Sequence, residues 1–361
     1  LSNWKGFLFV LVGIIALAWR HQSKANTQAI LPLEQTNSFQ ATFADALEKS
    51  TTSKYLDTSH YVSRPELEDM IRTIANDDDP SYYHIVYGPT AIGKSELVDN
   101  ALKDKRAVVK VQVPDHTPEN DDLIDCITEK LTGHPKHPQP YAFEDWIRKF
   151  KEDRQVTPVF IFEIERNTSP ITYRTARSVA KSLLRICPTF IVIADPTKLH
   201  EILRDRNRER FIYVGELERS EADELLEKAG AAISEEDKKY IYDTVGTSAG
   251  MLQGLAHDVR MGHSARERVD FSLGDVKRNL YNFPLQPILA ALKEHPEGVS
   301  IEALDGKYCN GVNLYNDNDV CPILSALAHK SPVVYHEDEM RYELKSTAYK
   351  TALKTYTPRR A

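Results

Sequence analysis

The chain has 361 residues, enough for two or three compact units, and its 41% hydrophobic content excludes an intrinsically disordered protein. A formal charge of -7 gives polyanions no general attraction, so nucleic acid is not the expected partner. Cys126, Cys187, Cys309 and Cys321 stand without a CxxC pair or a companion run of histidines, which argues against a disulfide framework or a structural zinc site.

Residues 6–19, GFLFVLVGIIALAW, carry no charge and are flanked by Lys5 and by Arg20, His21 and Lys24. As a helix this stretch reaches about 21 Å, against a hydrocarbon core of about 30 Å, and would span only with Trp4, Lys5 and Arg20 at its edges. It lacks the polar face of a core helix, so 1–24 reads as a membrane anchor rather than a signal-peptide core or a buried helix. The basic residues after it place the rest of a single-pass protein on a cytoplasmic or mitochondrial-matrix side. Polar residues 25–58 read as a linker with a short helix at 41–49.

A capping box of Ser63, Pro65 and Glu66 predicts a helix start. YHIVY at 83–87 predicts a strand, and a helix follows at 95–102. Further β-rich runs at 107–113, 158–164, 189–195 and 210–217 alternate with helical stretches near 121–131, 143–153, 172–186 and 199–204. Continuous apolar strands separated by helices mean a parallel sheet covered on both faces, so 59–217 reads as an α/β core. Helices at 220–229, 234–244 and 251–260, the last two divided by GTSAG at 246–250, make 218–283 a helical lid. Residues 284–361 read as a winged helix: helices at 287–293, 300–304 and 319–329, then a hairpin of PVVYH and MRYEL about Glu337, Asp338 and Glu339.

Between the first strand and its helix lies a full GxxxxGK[ST] match: Gly88, Pro89, Thr90, Ala91, Ile92, Gly93, Lys94 and Ser95. Small residues let successive backbone N–H groups curl round a phosphate, and the helix N-terminus adds partial positive charge. The segment therefore predicts ATP or a related nucleotide with Mg2+, Lys94 on the β- and γ-phosphates and Ser95 on the metal. Glu163 and Glu165 end the apolar run PVFIFEI and are the candidate acids, Glu163 for the metal and Glu165 for the base. They are two apart and share a strand face, with Ile164 where a second adjacent acid is usual, which questions hydrolysis more than binding. In RDRNRER, Arg208 and Arg210 adjoin the next strand and are the candidates for an arginine finger.

Through YVSRPEL, the P-loop, FIFEIE, TFIVIAD and GELERSEADELL, residues 60–355 resemble the AAA+-like P-loop ATPases of the archaeal-type and STAND group. The resemblance implies that Arg64 and Glu66 are the remnant of an element beside adenine, with Ser63 replacing its glycine. It also implies a nucleotide-touching lid element at Gly246–Gly250, here without its proline, and a switch with protein partners that often oligomerises. A looser similarity is to fungal mitochondrial inner-membrane proteins that carry an ATPase-like domain next to a single span. Three functions follow: a slowly hydrolysing membrane-anchored switch, a hydrolysis-deficient nucleotide-binding regulator or scaffold, and a DNA-binding ATPase using the winged helix. From Pro284 onward 9 Lys and Arg face 10 Asp and Glu, and the acidic wing tip would repel DNA phosphates.

Overall fold

Five apolar runs, each bounded by turn residues, become the strands of one parallel sheet. The computed structural model describes residues 33–52, 60–114, 120–133, 140–165, 170–194 and 208–281, then 289, 292–295, 299–300, 333–336, 341–344 and 347–354. The chain divides into Leu1–Asp45 and Ala46–Ala361. Helix α1, Leu33–Glu48, begins in the first unit and ends in the second, and is longer than the short helix expected at 41–49.

In the second unit the core runs α2 (Pro65–Ala75), β1 (Tyr83–Tyr87), α3 (Lys94–Ala101), β2 (Val108–Val113), α4 (Asn120–Thr132) and α5 (Pro140–Arg154). It continues with β3 (Val159–Ile164), α6 (Pro170–Ser182), β4 (Thr189–Ile193) and β5 (Glu209–Tyr213). The strand order is β2-β3-β4-β1-β5 and every pairing is parallel. Thr189–Ile193 is buried throughout, as a strand covered on both faces must be. Because β1 lies between strands made later in the chain, the turn after it opens at a reversal of strand order, where α/β sheets form their ligand crevices.

The start of α2 differs from the expected capping box. Arg64 is the N-cap and its side chain makes no cap bond. Instead Glu68 Oε1 accepts from Ser63 Oγ at 2.7 Å, Tyr61 Oη at 2.8 Å and the Arg64 amide at 2.9 Å. Glu66 is exposed. Burial alone would raise the Glu68 carboxyl, but these donors and Arg72 outweigh it and hold the group below its ordinary range.

The lid follows as α7 (Arg219–Lys228), α8 (Glu235–Val245), α9 (Ala249–Arg260) and α10 (Ala265–Tyr281). The last was not expected, because its sequence is highly charged and holds Gly274; packing of its apolar stripe against α8 and α9 overrides the weak local signal. Beyond it, β6 (Val299–Ser300), β7 (Val333–His336) and β8 (Arg341–Leu344) form an antiparallel sheet in the order β6-β8-β7. The expected hairpin is present, with Val333 opposite Leu344 and His336 opposite Arg341. Ser300 lies in a strand instead of opening a helix. The helix expected at 319–329, the wing tip 337–339 and the core helix expected at 199–204 lie outside the described residues.

Helix α11, Thr347–Lys354, packs with the helices before it. Its Tyr349, Ala352 and Leu353 are buried in one cluster with Leu225, Leu226, Ile241 and Leu252 of the lid.

Among the described residues no helix is long and apolar enough to cross a membrane. This overturns the single-pass reading and the sidedness drawn from it; its basis, 6–19, lies outside the described residues.

Candidate functional site

Each turn of the loop after β1 has a local cause. Gly88 has φ +147°, and a Cβ there would lie 2.1 Å from the Val214 carbonyl oxygen, so no larger residue fits. Ile92 is buried and anchors the loop in the core. Ala91 has φ 59°, a left-handed conformation that costs a non-glycine residue about 1–2 kcal/mol. Its carbonyl accepts the Gly250 amide of the lid at 2.8 Å. Gly93, φ +91°, then caps α3.

Lys94 is buried, and its ammonium donates to the carbonyls of Pro89 at 2.7 Å, Gly88 at 3.0 Å and Ala194 at 3.4 Å. The cation is held inside the ring of backbone that a phosphate would enter. Thr90 Oγ1 is buried there without a hydrogen-bond partner.

Two cavities meet at this loop, and Ala91, Ile92, Gly93 and Glu96 line both. The larger, about 510 Å³, lies between core and lid; His60, Tyr61 and Arg64 face Leu225, Gly250 and Gln253 across it. Arg64 is fixed by its Nη2, which donates to the Glu216 carbonyl at 2.8 Å and to that of Gly215 at 3.0 Å, and its Nε lies 3.7 Å from Glu221. Arg64 Nη1 and His60 Nδ1 are buried without partners, hydrogen-bonding capacity that a heterocycle could satisfy. The smaller cavity, about 300 Å³, is lined by Thr90, Lys94, Ser95, Glu163 and Glu165. A chamber with a few polar groups adjoins a second cavity at a helix N-terminus, an arrangement that can seat a base and phosphates separately.

Both acids on the cradle's far wall are engaged. Glu163 Oε1 lies 2.9 Å from Lys110 Nζ, which lies 2.6 Å from Asp99 Oδ2 of α3. Burial alone would lower the Lys110 ammonium's pKa, but its two carboxylate partners raise it, so the lysine stays charged. Glu165 Oε1 accepts from the Gln112 amide. Ser95 and Glu163 share a cavity as expected for metal-holding residues, yet Glu163 already neutralises an ammonium. Among the described residues no group of three or more His, Cys, Asp or Glu is placed to hold a metal ion. A divalent ion at Glu163 would have to share its carboxylate with the Lys110 ammonium.

No protein-family model and no curated protein sequence matches the chain. Among solved structures, a Walker-type ATPase of Pyrococcus abyssi is similar with TM-score 0.52 at 11% identity, covering 81% of this chain and 96% of that one. The fold is that of a P-loop NTPase. A STAND protein with a tetratricopeptide repeat sensor from Pyrococcus horikoshii gives TM-score 0.38 at 13% identity, over 86% of this chain and 44% of that one. Drosophila ORC bound to DNA gives 0.37 at 13% identity, over 91% and 95%.

Within this P-loop fold Thr90 to Ser95, Glu163 and Glu165 line the smaller cavity, and Arg64 lines the larger. Arg208 and Arg210 line neither. Glu209 pairs with Tyr83 and Arg210 with His84, at the start of β1. Gly88 is four residue steps along from His84, about 13 Å at the usual rise, and the Arg210 guanidinium sits 4.4 Å over the Tyr82 ring. Neither arginine reaches the P-loop of its own chain. Glu66, paired with Arg64 in the resemblance, is exposed and lines neither cavity.

Lys110, Gln112 and Gln253 were missed. A lysine in the apolar run AVVKVQV was a usable signal, since a charge inside a strand needs a partner. Glu216, also missed, accepts from Thr347 Oγ1 at 2.8 Å, the Thr347 amide at 3.0 Å and the Thr247 amide at 3.4 Å. Gly246, φ +83°, permits this approach: a Cβ there would meet Glu216 Oε2 at 2.5 Å and Thr347 Cβ at 2.7 Å.

Proposed function

We propose that the protein binds ATP between its P-loop core and its lid and acts as a nucleotide-dependent switch rather than a fast hydrolase. The bond from the Gly250 amide to the Ala91 carbonyl carries this reading, because it ties the lid directly to the most strained residue of the phosphate loop. A phosphate drawing the loop amides inward acts on the lid through that bond. The two cavities joined at Ala91–Gly93 give base and phosphates separate seats, and likeness to a Walker-type ATPase supports ATP as the nucleotide. Engagement of Glu163 by Lys110 and of Glu165 by Gln112, with Ile164 between them, favours retention of nucleotide over turnover. A switch of this kind signals to protein partners or to further copies of itself.

The test is ATP binding by calorimetry and phosphate release by the full chain, beside Glu163→Gln and Glu165→Gln. Expected are saturable binding and phosphate release at background in all three. Turnover well above background that Glu163→Gln abolishes would replace the switch with an enzyme.

A further inference from the structure

We propose that Lys110 neutralises Glu163, the carboxylate that faces the phosphate site, so that nucleotide binding at this P-loop does not depend on Mg2+; this rests on the ATP reading above. The argument begins with the odd spacing of the acids. In the parallel pairing of β2 with β3, Lys110 is in register with Ile161 and Gln112 with Glu163. Residues in register share a face, so Lys110, Gln112, Glu163 and Glu165 all project from the same side of the sheet. Each acid then reaches the β2 side chain one step back: Glu163 takes Lys110, and Glu165 takes Gln112. The Glu–Ile–Glu pattern matches the Lys–Val–Gln of the neighbouring strand, and the two form a ladder.

The upper charge of that ladder is held from two sides. The Lys110 side chain is 14% exposed and spans from Glu163 to Asp99, whose side chain is 7% exposed. Asp99 belongs to α3, the helix that opens at Lys94, so Lys110 joins the acid strand to the phosphate helix. A divalent ion drawn toward Glu163 would share that carboxylate with an ammonium already 2.9 Å away, and the two cations repel at short range in a partly buried setting. The ammonium cannot withdraw into solvent without leaving Asp99 buried and uncompensated. It therefore offsets at Glu163 the carboxylate charge that would otherwise repel a phosphate, and Lys94 supplies the charge at the phosphates themselves.

An ion pair that only stabilised the fold would leave the response to Mg2+ untouched, so the deciding quantity is a ratio. The full chain is titrated with ATP in excess Mg2+ and in EDTA, as wild type, as Lys110→Met, and as Lys110→Met combined with Glu163→Gln. For wild type the two Kd values should agree within about 2-fold, whereas Lys110→Met, with Glu163 unneutralised, should bind at least about 10-fold more weakly in EDTA than in Mg2+. The double variant, which also removes the repelling carboxylate charge, should return to a ratio near that of wild type.

A wild-type protein that loses about 10-fold or more on chelation, or a folded Lys110→Met variant with the wild-type ratio, overturns the proposal and leaves ATP binding standing. No binding by wild type in either buffer removes the ATP reading and this proposal together. If circular dichroism shows Lys110→Met unfolded, the wild-type ratio and the double variant decide the matter.

Discussion

The two ends of the parallel sheet are built to opposite purposes from the same five strands. Past the C-terminal ends of β1, β3 and β4, groups are placed toward a ligand cavity: Thr90 Oγ1 has no hydrogen-bond partner, and Lys94 donates to the carbonyls of Gly88 and Pro89. At the N-terminal ends a buried ion pair closes the edge. Arg177 of α6 bonds Glu209 of β5, and its Nε donates to Tyr83 Oη of β1 at 3.1 Å. One end keeps polar capacity for a ligand, and the other uses it to hold β5 against β1. Effects on binding and on stability should therefore separate by position along the strands.

The largest effect belongs to the closed end. Arg177→Met leaves Glu209 buried without its cation and should cost about 3 kcal/mol or more in denaturant unfolding, with ATP affinity of the folded protein unchanged. If affinity falls as far as stability, the two ends are not independent. At the open end, Lys94→Ala should weaken ATP binding about 100-fold, close to 3 kcal/mol, with no change in Tm. A large fall in Tm would mean that the buried ammonium is a strut of the loop as well as a ligand group.

A smaller effect is expected from pH. Burial, with help from Arg210, lowers His84 to about 4. The unfolded chain takes up this proton near pH 6.5 while the folded chain holds it off, so the unfolded state binds more protons in between. Stability should fall as pH drops from about 6.5 toward 4, by on the order of 1–2 kcal/mol at pH 5. His84→Leu should flatten that slope in unfolding curves taken at pH 7 and 5. The smallest effect is that of Arg210→Ala, which loses a stacking contact on Tyr82 worth about 0.5–1 kcal/mol and should leave ATP binding unaltered.

What could be read beforehand follows the same division between local and long-range causes. The strand at Tyr83–Tyr87 and the loop after it were legible because spacing and apolar content are properties of a few consecutive residues. Arg208 and Arg210 lie away from the P-loop of their own chain because they precede or begin β5, and in a parallel sheet the ligand crevice lies past the strand's end; adjacency to a strand does not tell which end is adjoined. The partner of Glu163 was hidden for another reason. Lys110 lies 53 residues earlier, and only the β2-β3 pairing and its register bring the two together. The helix Ala265–Tyr281 was missed where tertiary packing outweighs a weak local pattern. At Ser63, a correct sense of a helix start came with the wrong acid, since Glu68 collects the donors that Glu66 was expected to serve.

The clasp at Glu216 has a consequence for the order in which the chain acquires its shape. Its carboxylate gathers the amide and hydroxyl of Thr347 from 131 positions away, and the helix that begins there supplies Tyr349, Ala352 and Leu353 to the lid core. On the ribosome the sheet and its phosphate loop are complete long before that helix emerges. Until it does, the lid has an open seam along its apolar interior and a carboxylate waiting for donors. The core can be finished early, but the part that would sense nucleotide closes only after Lys354 has been made.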